Sequence, residues 1–245
     1  MTGLGTDRGH ATHRQATDAP PAEGGCALSI IVLVGPGDEP RVADLDWLRA
    51  APDTGLEFIL AVTDPTRLPE DPPGRAVASP PGRGRQANRG ARAARGAWLW
   101  FLHVDSVPLP GAMERARAFA GGGEAIGYAW LRFDADGPWL TRLNAFGANL
   151  RARLLGLPYG DQGLLLPRER FRELGGFRED RARGEDLDLV VRARRQGLRC
   201  APIGATVRTS ARRYRQQGWL RTTLHHGLAA VGIVWRAWRA AGPTR

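Results

Sequence analysis

The chain has 245 residues, 42% of them hydrophobic and 24% charged, which is the composition of one folded domain with short appendages rather than of a disordered chain. Its formal net charge is +10, from 35 basic and 25 acidic side chains, and every basic one is Arg. The longest apolar runs fall well short of a bilayer span, and two cysteines, Cys26 and Cys200, supply neither a disulfide framework nor a metal site. No basic start leads into an apolar stretch, so a secretory leader is not expected and a reducing cytosol is the expected compartment. The charge is uneven. After Asp188 no Asp or Glu occurs, while twelve Arg follow. That asymmetry points to an anionic partner near the C-terminus, whereas Arg in place of Lys is equally a codon-usage effect.

Taken in chain order, residues 1–25 have no apolar period and read as a disordered tail, with His10 and His13 in solvent. The run 27–34 (ALSIIVLV) predicts a buried strand that ends in Gly35-Pro36-Gly37. A short helix is expected over 43–51, and a second buried strand over 56–62 (LEFILAV), running into Thr63-Asp64-Pro65. Residues 65–84 are Pro- and Gly-rich loop, with one short strand at 76–78. A helix over 85–96 precedes a third buried strand, 97–102 (AWLWFL), which delivers His103-Val104-Asp105. Pro108 and Pro110 are expected to stop regular structure there. Beyond lie a helix at 111–120, an alternating strand over 124–134 with Ile126, Tyr128, Trp130 and Phe133 in register, and a helix at 140–155. A strand at 163–166, a helix at 168–174, a strong helix at 185–196 closed by Gly197 and a last strand at 200–207 complete the pattern. Strands that alternate with helices and are buried on both faces mean a layered α/β domain with a largely parallel sheet.

Three clusters can carry chemistry. In an open α/β sheet, ligands bind beyond the carboxyl ends of the strands. His103 and Asp105, on one side of an extended segment, could there hold a divalent cation bridging two phosphates, or Asp105 could simply cap the turn. Glu185, Asp186 and Asp188 suit a helix N-terminus through the helix dipole, yet three acids in four positions exceed a cap, and one could serve as a general base. Arg83-Gly84-Arg85-Gln86-Ala87-Asn88 opens a helix from a Pro-Gly loop, a phosphate-binding arrangement.

The segment from Ser79 to Ala91 (SPPGRGRQANRGA), followed by 96–105 (GAWLWFLHVD), resembles family 2 glycosyltransferases. It is nearest to a bacterial branch with a loop of the form PGRGRQMNAGA and a strand ending FLHADT, the radical-SAM/selenodomain-associated transferases. Residues 156–163 (GLPYGDQG), Phe171, 174–177 (LGGF), 185–189 (EDLDL) and 209–213 (TSARR) continue the likeness in order, over about 76–215. The resemblance implies a GT-A fold: one Rossmann-like, three-layer domain, here 26–215, with a mixed, mostly parallel sheet. It would bind a nucleotide-diphosphate sugar with Mg or Mn and transfer the sugar, with inversion, to an acceptor hydroxyl. Carried over residue by residue, Asp105 would touch the metal or the diphosphate, with His103 in place of the motif's first acid. Asp186 would be the base, with Glu185 beside it. Arg85, Gln86 and Asn88 would line the nucleotide, Asp161 and Gln162 the acceptor side, and Arg212 or Arg213 the leaving diphosphate.

The N-terminal third departs from that pattern. Val62 falls where the base-reading Asp is expected, Asp64 lies two residues later as its substitute, and the usual Gly-Gly-Ser is gone. A degenerate transferase domain serving as a non-catalytic binding or scaffold module is therefore the alternative function. The basic C-terminus raises a third, nucleic-acid binding, but no nucleic-acid motif is present and no specific nucleic acid is expected. The stretch 216–241 reads as an amphipathic helix carrying Trp and Arg. It suits peripheral contact with an anionic membrane at its inner face, and packing on the domain or a homodimer contact are its alternatives. His225 and His226 fall on different sides of that helix.

Overall fold

The computed structural model describes residues 27–50, 55–123, 125–181, 183–223 and 232. The tail 1–25, Cys26, His225, His226 and most of the expected C-terminal helix lie outside them. Among the described residues eight strands form one mixed sheet in the order β3-β2-β1-β4-β7-β6-β8-β5. These are β1 Leu28–Val34, β2 Leu56–Val62, β3 Arg75–Ala78, β4 Trp98–His103, β5 Ser106–Pro108, β6 Ala125–Phe133, β7 Leu164–Pro167 and β8 Arg199–Thr209. The first four in that spatial order run parallel, as do β6 and β8. β7 runs antiparallel to β4 and β6, and β5 antiparallel to β8.

The helices are α1 Asp46–Arg49, α2 Arg83–Ala93, α3 Ala112–Ala120, α4 Thr141–Leu155, α5 Arg168–Glu173, α6 Glu185–Arg195 and α7 Arg212–Gln217. They cover both faces of the sheet. All seven β1 side chains are buried, and successive ones point to opposite faces. Leu28, Ile30, Val32 and Val34 pack with Trp100, Leu48 of α1 and Met113 of α3. Ile31 and Leu33 pack with Phe101, Ala87 and Ala91 of α2, Phe171 of α5 and Leu189 of α6. The three-layer α/β reading holds.

Several elements differ from the expectations. The short helix expected at 43–51 is a 3-10 turn, Glu39–Asp44, followed by the single turn of α1. β6 does not alternate: Ile126, Gly127, Tyr128 and Ala129 are all buried while Trp130 is half-buried. It lies inside the sheet between β7 and β8, so both its faces are covered. Residues 106–108 form an edge strand despite Pro108, because a sheet edge tolerates a residue with no N–H to donate. The helix expected from 216 begins instead at Arg212, breaks at Gly218, where φ is 80°, and resumes over 219–223.

The link from β4 to β5 fixes the shape of the site. Only Val104 and Asp105 separate His103, at the middle of the sheet, from Ser106, on its far edge. The three Cα steps from His103 to Ser106 span only about 10 Å, so the sheet curls until its edge lies beside the carboxyl end of β4.

Candidate functional site

That curl encloses a cleft of about 680 Å³. β1 contributes Leu33 and the turn after it, Gly35 to Asp38, and α2 contributes Arg83 and Gln86 from its first turn. The β4–β5 turn adds His103 and Asp105, and a 3-10 turn before β7, Gly160–Gln162, brings Tyr159 and Asp161. The start of α6 gives Arg183, Gly184 and Asp186, and the end of β8 gives Ser210, Arg212 and Arg213. A small recess of about 20 Å³, lined by Arg83, His103, Phe177, Glu185 and Asp186, opens off its floor.

Asp186 is held in place by backbone. Its Oδ2 accepts the Gly160 N–H at 2.6 Å and its Oδ1 accepts its own neighbour's, Leu187, at 2.8 Å. Gly160 must be small here, since a Cβ on it would lie 3.0 Å from Asp186 Oδ2. Glu185 is buried beside it, with Oε2 unpartnered. Burial, then the Asp186 charge, pushes its carboxyl up to about 7. Asp161 also has a buried oxygen without a partner, Oδ1. Burial raises it to about 6, against the pull of Arg151. Asp188 is different: 2% exposed, it pairs with Arg192 at 2.7 Å and Arg181 at 3.0 Å. It ties α6 to the preceding loop and does not line the cleft.

The cations are set for an anion. Arg83 and Arg213 have no ion pair or hydrogen bond among the described residues, while Arg212 reaches Asp38 at 3.6 Å. Burial and the charges of Arg83 and Arg183 push the Arg213 guanidinium below its ordinary value, against the opposing pull of Asp105, so a further anion beside these cations would relieve their mutual repulsion. Asp105 likewise makes no hydrogen bond or ion pair among the described residues, and so does not cap its turn. Burial, reinforced by Arg83 and Arg213, drives the His103 imidazole down to about 3, leaving it neutral with a free lone pair. Among the described residues no three His, Cys, Asp or Glu side chains form a ready metal cage. A carboxylate and a neutral imidazole do fit a cation whose remaining ligands are diphosphate oxygens and water.

Of the residues singled out from the sequence, the cleft brings together His103, Asp105, Asp161, Asp186, Arg212, Arg213 and Gln86, with Glu185 on the recess below. Gln86 also braces the strand ends, its Nε2 donating to Val34 O at 2.5 Å and Ala61 O at 3.1 Å. Four expected binding residues do not line the cleft, and three of them are spent elsewhere. Arg85 is exposed and off the cleft, because Arg83 and Gln86, three apart, share a helix face that Arg85 does not. The Asn88 amide clasps the Phe177 backbone, donating to its O and accepting from its N, both at 2.9 Å. Gln162 is fully buried and spends its side chain on Tyr159 N, Ala129 O and Asn149. Asp64 caps the turn after β2, accepting from Thr66 N at 3.0 Å and Thr66 Oγ1 at 2.6 Å. Arg83, from the Arg83–Asn88 turn that the sequence marks as phosphate-binding, lines the cleft, and Arg183 and Tyr159, which the sequence does not single out, join it. Tyr159, with the Arg151 guanidinium 3.4 Å over its ring, forms part of the cleft wall.

No protein-family model matches the chain, and no curated protein does. Solved structures do. S. aureus TarS (residues 1–349) in complex with UDP-GlcNAc superposes with a TM-score of 0.56 at 15% identity, over 75% of this chain and 58% of that one. The mannosyltransferase PcManGT from Pyrobaculum calidifontis, in complex with GDP-Man and Mn2+, gives 0.55 at 18%, over 79% and 60%. A mycobacterial protein gives 0.52 at 20%, over 76% and 66%. This chain thus spans about 60% of the length of the two transferases. At such identities the likeness defines the architecture, and the architecture is the GT-A fold of glycosyltransferases.

Proposed function

We propose that this chain is an inverting glycosyltransferase of the family 2 type, moving a sugar from a nucleotide-diphosphate sugar to an acceptor hydroxyl with the help of Mg2+ or Mn2+. One observation carries the reading. Two unpaired guanidiniums, Arg83 and Arg213, share a cleft with an unpaired carboxylate, Asp105, and a backbone-oriented one, Asp186. The ordered likeness over about 76–215 to the radical-SAM/selenodomain-associated branch supports it, as do the nucleotide sugars held by TarS and PcManGT.

In this mechanism Asp186 accepts the acceptor's hydroxyl proton while its oxygen attacks the anomeric carbon in line. The Gly160 and Leu187 N–H groups keep the carboxylate aimed through the reaction. Arg83 and Arg213, already in position at the cleft, meet the charge that grows on the departing diphosphate. Asp105, with His103 behind it, would hold the divalent cation, which when bound supplies further positive charge to that diphosphate. A second reading rests on Asp64. Its carboxylate is spent on Thr66 rather than offered to a nucleotide, as in a non-catalytic binding module.

A thermal-shift titration with UDP, GDP, CDP and dTDP, each with and without Mn2+, separates the two. A rise with one nucleotide that depends on the metal supports transfer and names the donor's base. No rise with any of them, in a sample that melts cooperatively, favours the module.

A further inference from the structure

We propose that the outer face of α4 is a docking surface for an anionic lipid bilayer. The inner face of the helix is spent on the domain: Ala145, Ala148 and Ala152 are buried, and the Asn149 side chain bonds the Leu131 N–H at 2.8 Å and C=O at 3.0 Å. The opposite face is apolar and bare. Leu143 is 54% exposed, Phe146 67%, Leu150 43% and Leu154 68%, with Trp139 at 72% before them and Leu155 at 56% after. Steps of three and four place these side chains along one stripe. A contiguous apolar face of this kind on a folded protein marks a site of association.

Charge selects the occupant. From Gly137 to Tyr159 there is no Asp or Glu, and Arg142 and Arg153 are exposed on α4 itself. The Arg194 guanidinium reaches the Leu155 carbonyl at one end. Near the other, Arg221 is exposed on the segment whose Trp219 and Thr223 bond Asn144. An apolar stripe inside a rim of arginine matches headgroup phosphates outside and acyl chains within, with Trp suited to the boundary between them. A second copy of the chain, meeting this one about a two-fold axis, would set arginine rim against arginine rim. Residues 224–245 bring three more Arg and no carboxylate. Among the described residues no helix is long and apolar enough to cross a membrane, so α4 would lie in the interface. This surface does not depend on the glycosyl-transfer reading.

The test is co-sedimentation of the full chain with vesicles of phosphatidylcholine alone or with about one-third phosphatidylglycerol. Binding to the anionic vesicles should be about tenfold tighter or more, and should weaken between about 0.1 M and about 0.5 M salt. The double variant Phe146→Ser with Leu154→Ser leaves the charge unchanged and removes only exposed side chains. It should lose about tenfold in vesicle binding at an unchanged melting temperature. Absent binding by the parent protein overturns the proposal, as does undiminished binding by the variant. A dimer in sedimentation velocity that the variant dissociates assigns the face to a second copy instead. A variant that melts lower, with no vesicle binding by the parent, assigns it to the chain's own residues 224–245.

Discussion

Asp186, the base in the proposed mechanism, is aimed by backbone groups rather than by its own side chain alone. The acid was readable from the Glu-Asp pair at a helix start, but what aims it is the Gly160 N–H, 26 residues earlier in the chain. Gly160→Ala would bring a methyl group to 3.0 Å from Oδ2 and turn the carboxylate without removing it. Turnover should fall about tenfold or more, while the thermal shift on nucleotide is kept; Asp186→Asn should abolish turnover with the same shift. Loss of the shift in both variants would make this carboxylate a binding group rather than a base. Of the two Arg in the expected phosphate-binding turn, Arg83 rather than Arg85 faces the cleft. The helix was expected to start at Arg85, which leaves Arg83 in a loop. The structure starts α2 at Arg83, and that two-residue difference decides which Arg faces the cleft. Asp188 looks like a member of the acidic cluster because, of its partners, only Arg192 at i+4 is legible from spacing, while Arg178 and Arg181 are brought to it by the fold.

At the scale of elements, the long apolar strands and the helices between them were legible because each pattern is local. β5 was not, because only its pairing with β8 makes it a strand. α2 is placed by close contact: Gly90 lies so near β1 that a Cβ would overlap Ile31 Cγ2, on a fully buried side chain. Gly90→Ala should therefore lose stability, an overpacking cost of about 1–3 kcal/mol outweighing a helix-propensity gain of up to about 1 kcal/mol. Gly147 on α4 has nothing within 4 Å of the same atom. Gly147→Ala should gain about 0.5–1 kcal/mol. Denaturant midpoints of the two variants should move in opposite directions; a shared direction would mean that α2 can slide off β1.

For the whole molecule, the buried titratable groups set opposing responses to pH. Glu185 moves from 4.5 up to about 7, and Asp161 from 3.8 up to about 6. The folded state holds these protons more tightly than the unfolded one, so stability falls as pH rises through about 4 to 7. His103 moves from 6.5 down to about 3, so its contribution is lost as pH falls through that range. Glu185→Gln removes one arm of this balance. Its melting temperature should match the parent's near about pH 4 and exceed it increasingly towards about pH 8. A constant difference across that range would mean that Glu185 keeps its ordinary acidity. The three-layer architecture was visible in the sequence; its curl was not, because two turn residues between apolar strands do not say which edge the next strand joins.

That curl also has a temporal side. β5 ends at Pro108, but the strand that pairs with it, through Val207 to Thr209, leaves the ribosome only about a hundred residues later. Until then β5 has no strand to pair with, and Arg213, four residues beyond Thr209, is not yet beside Asp105. A nascent chain can finish its first parallel strands early and still own no cleft. The cleft as described is therefore complete only when β8 and the residues after it have joined the fold, and a chain cut before Val207 is expected to lack the wall that Arg212 and Arg213 provide.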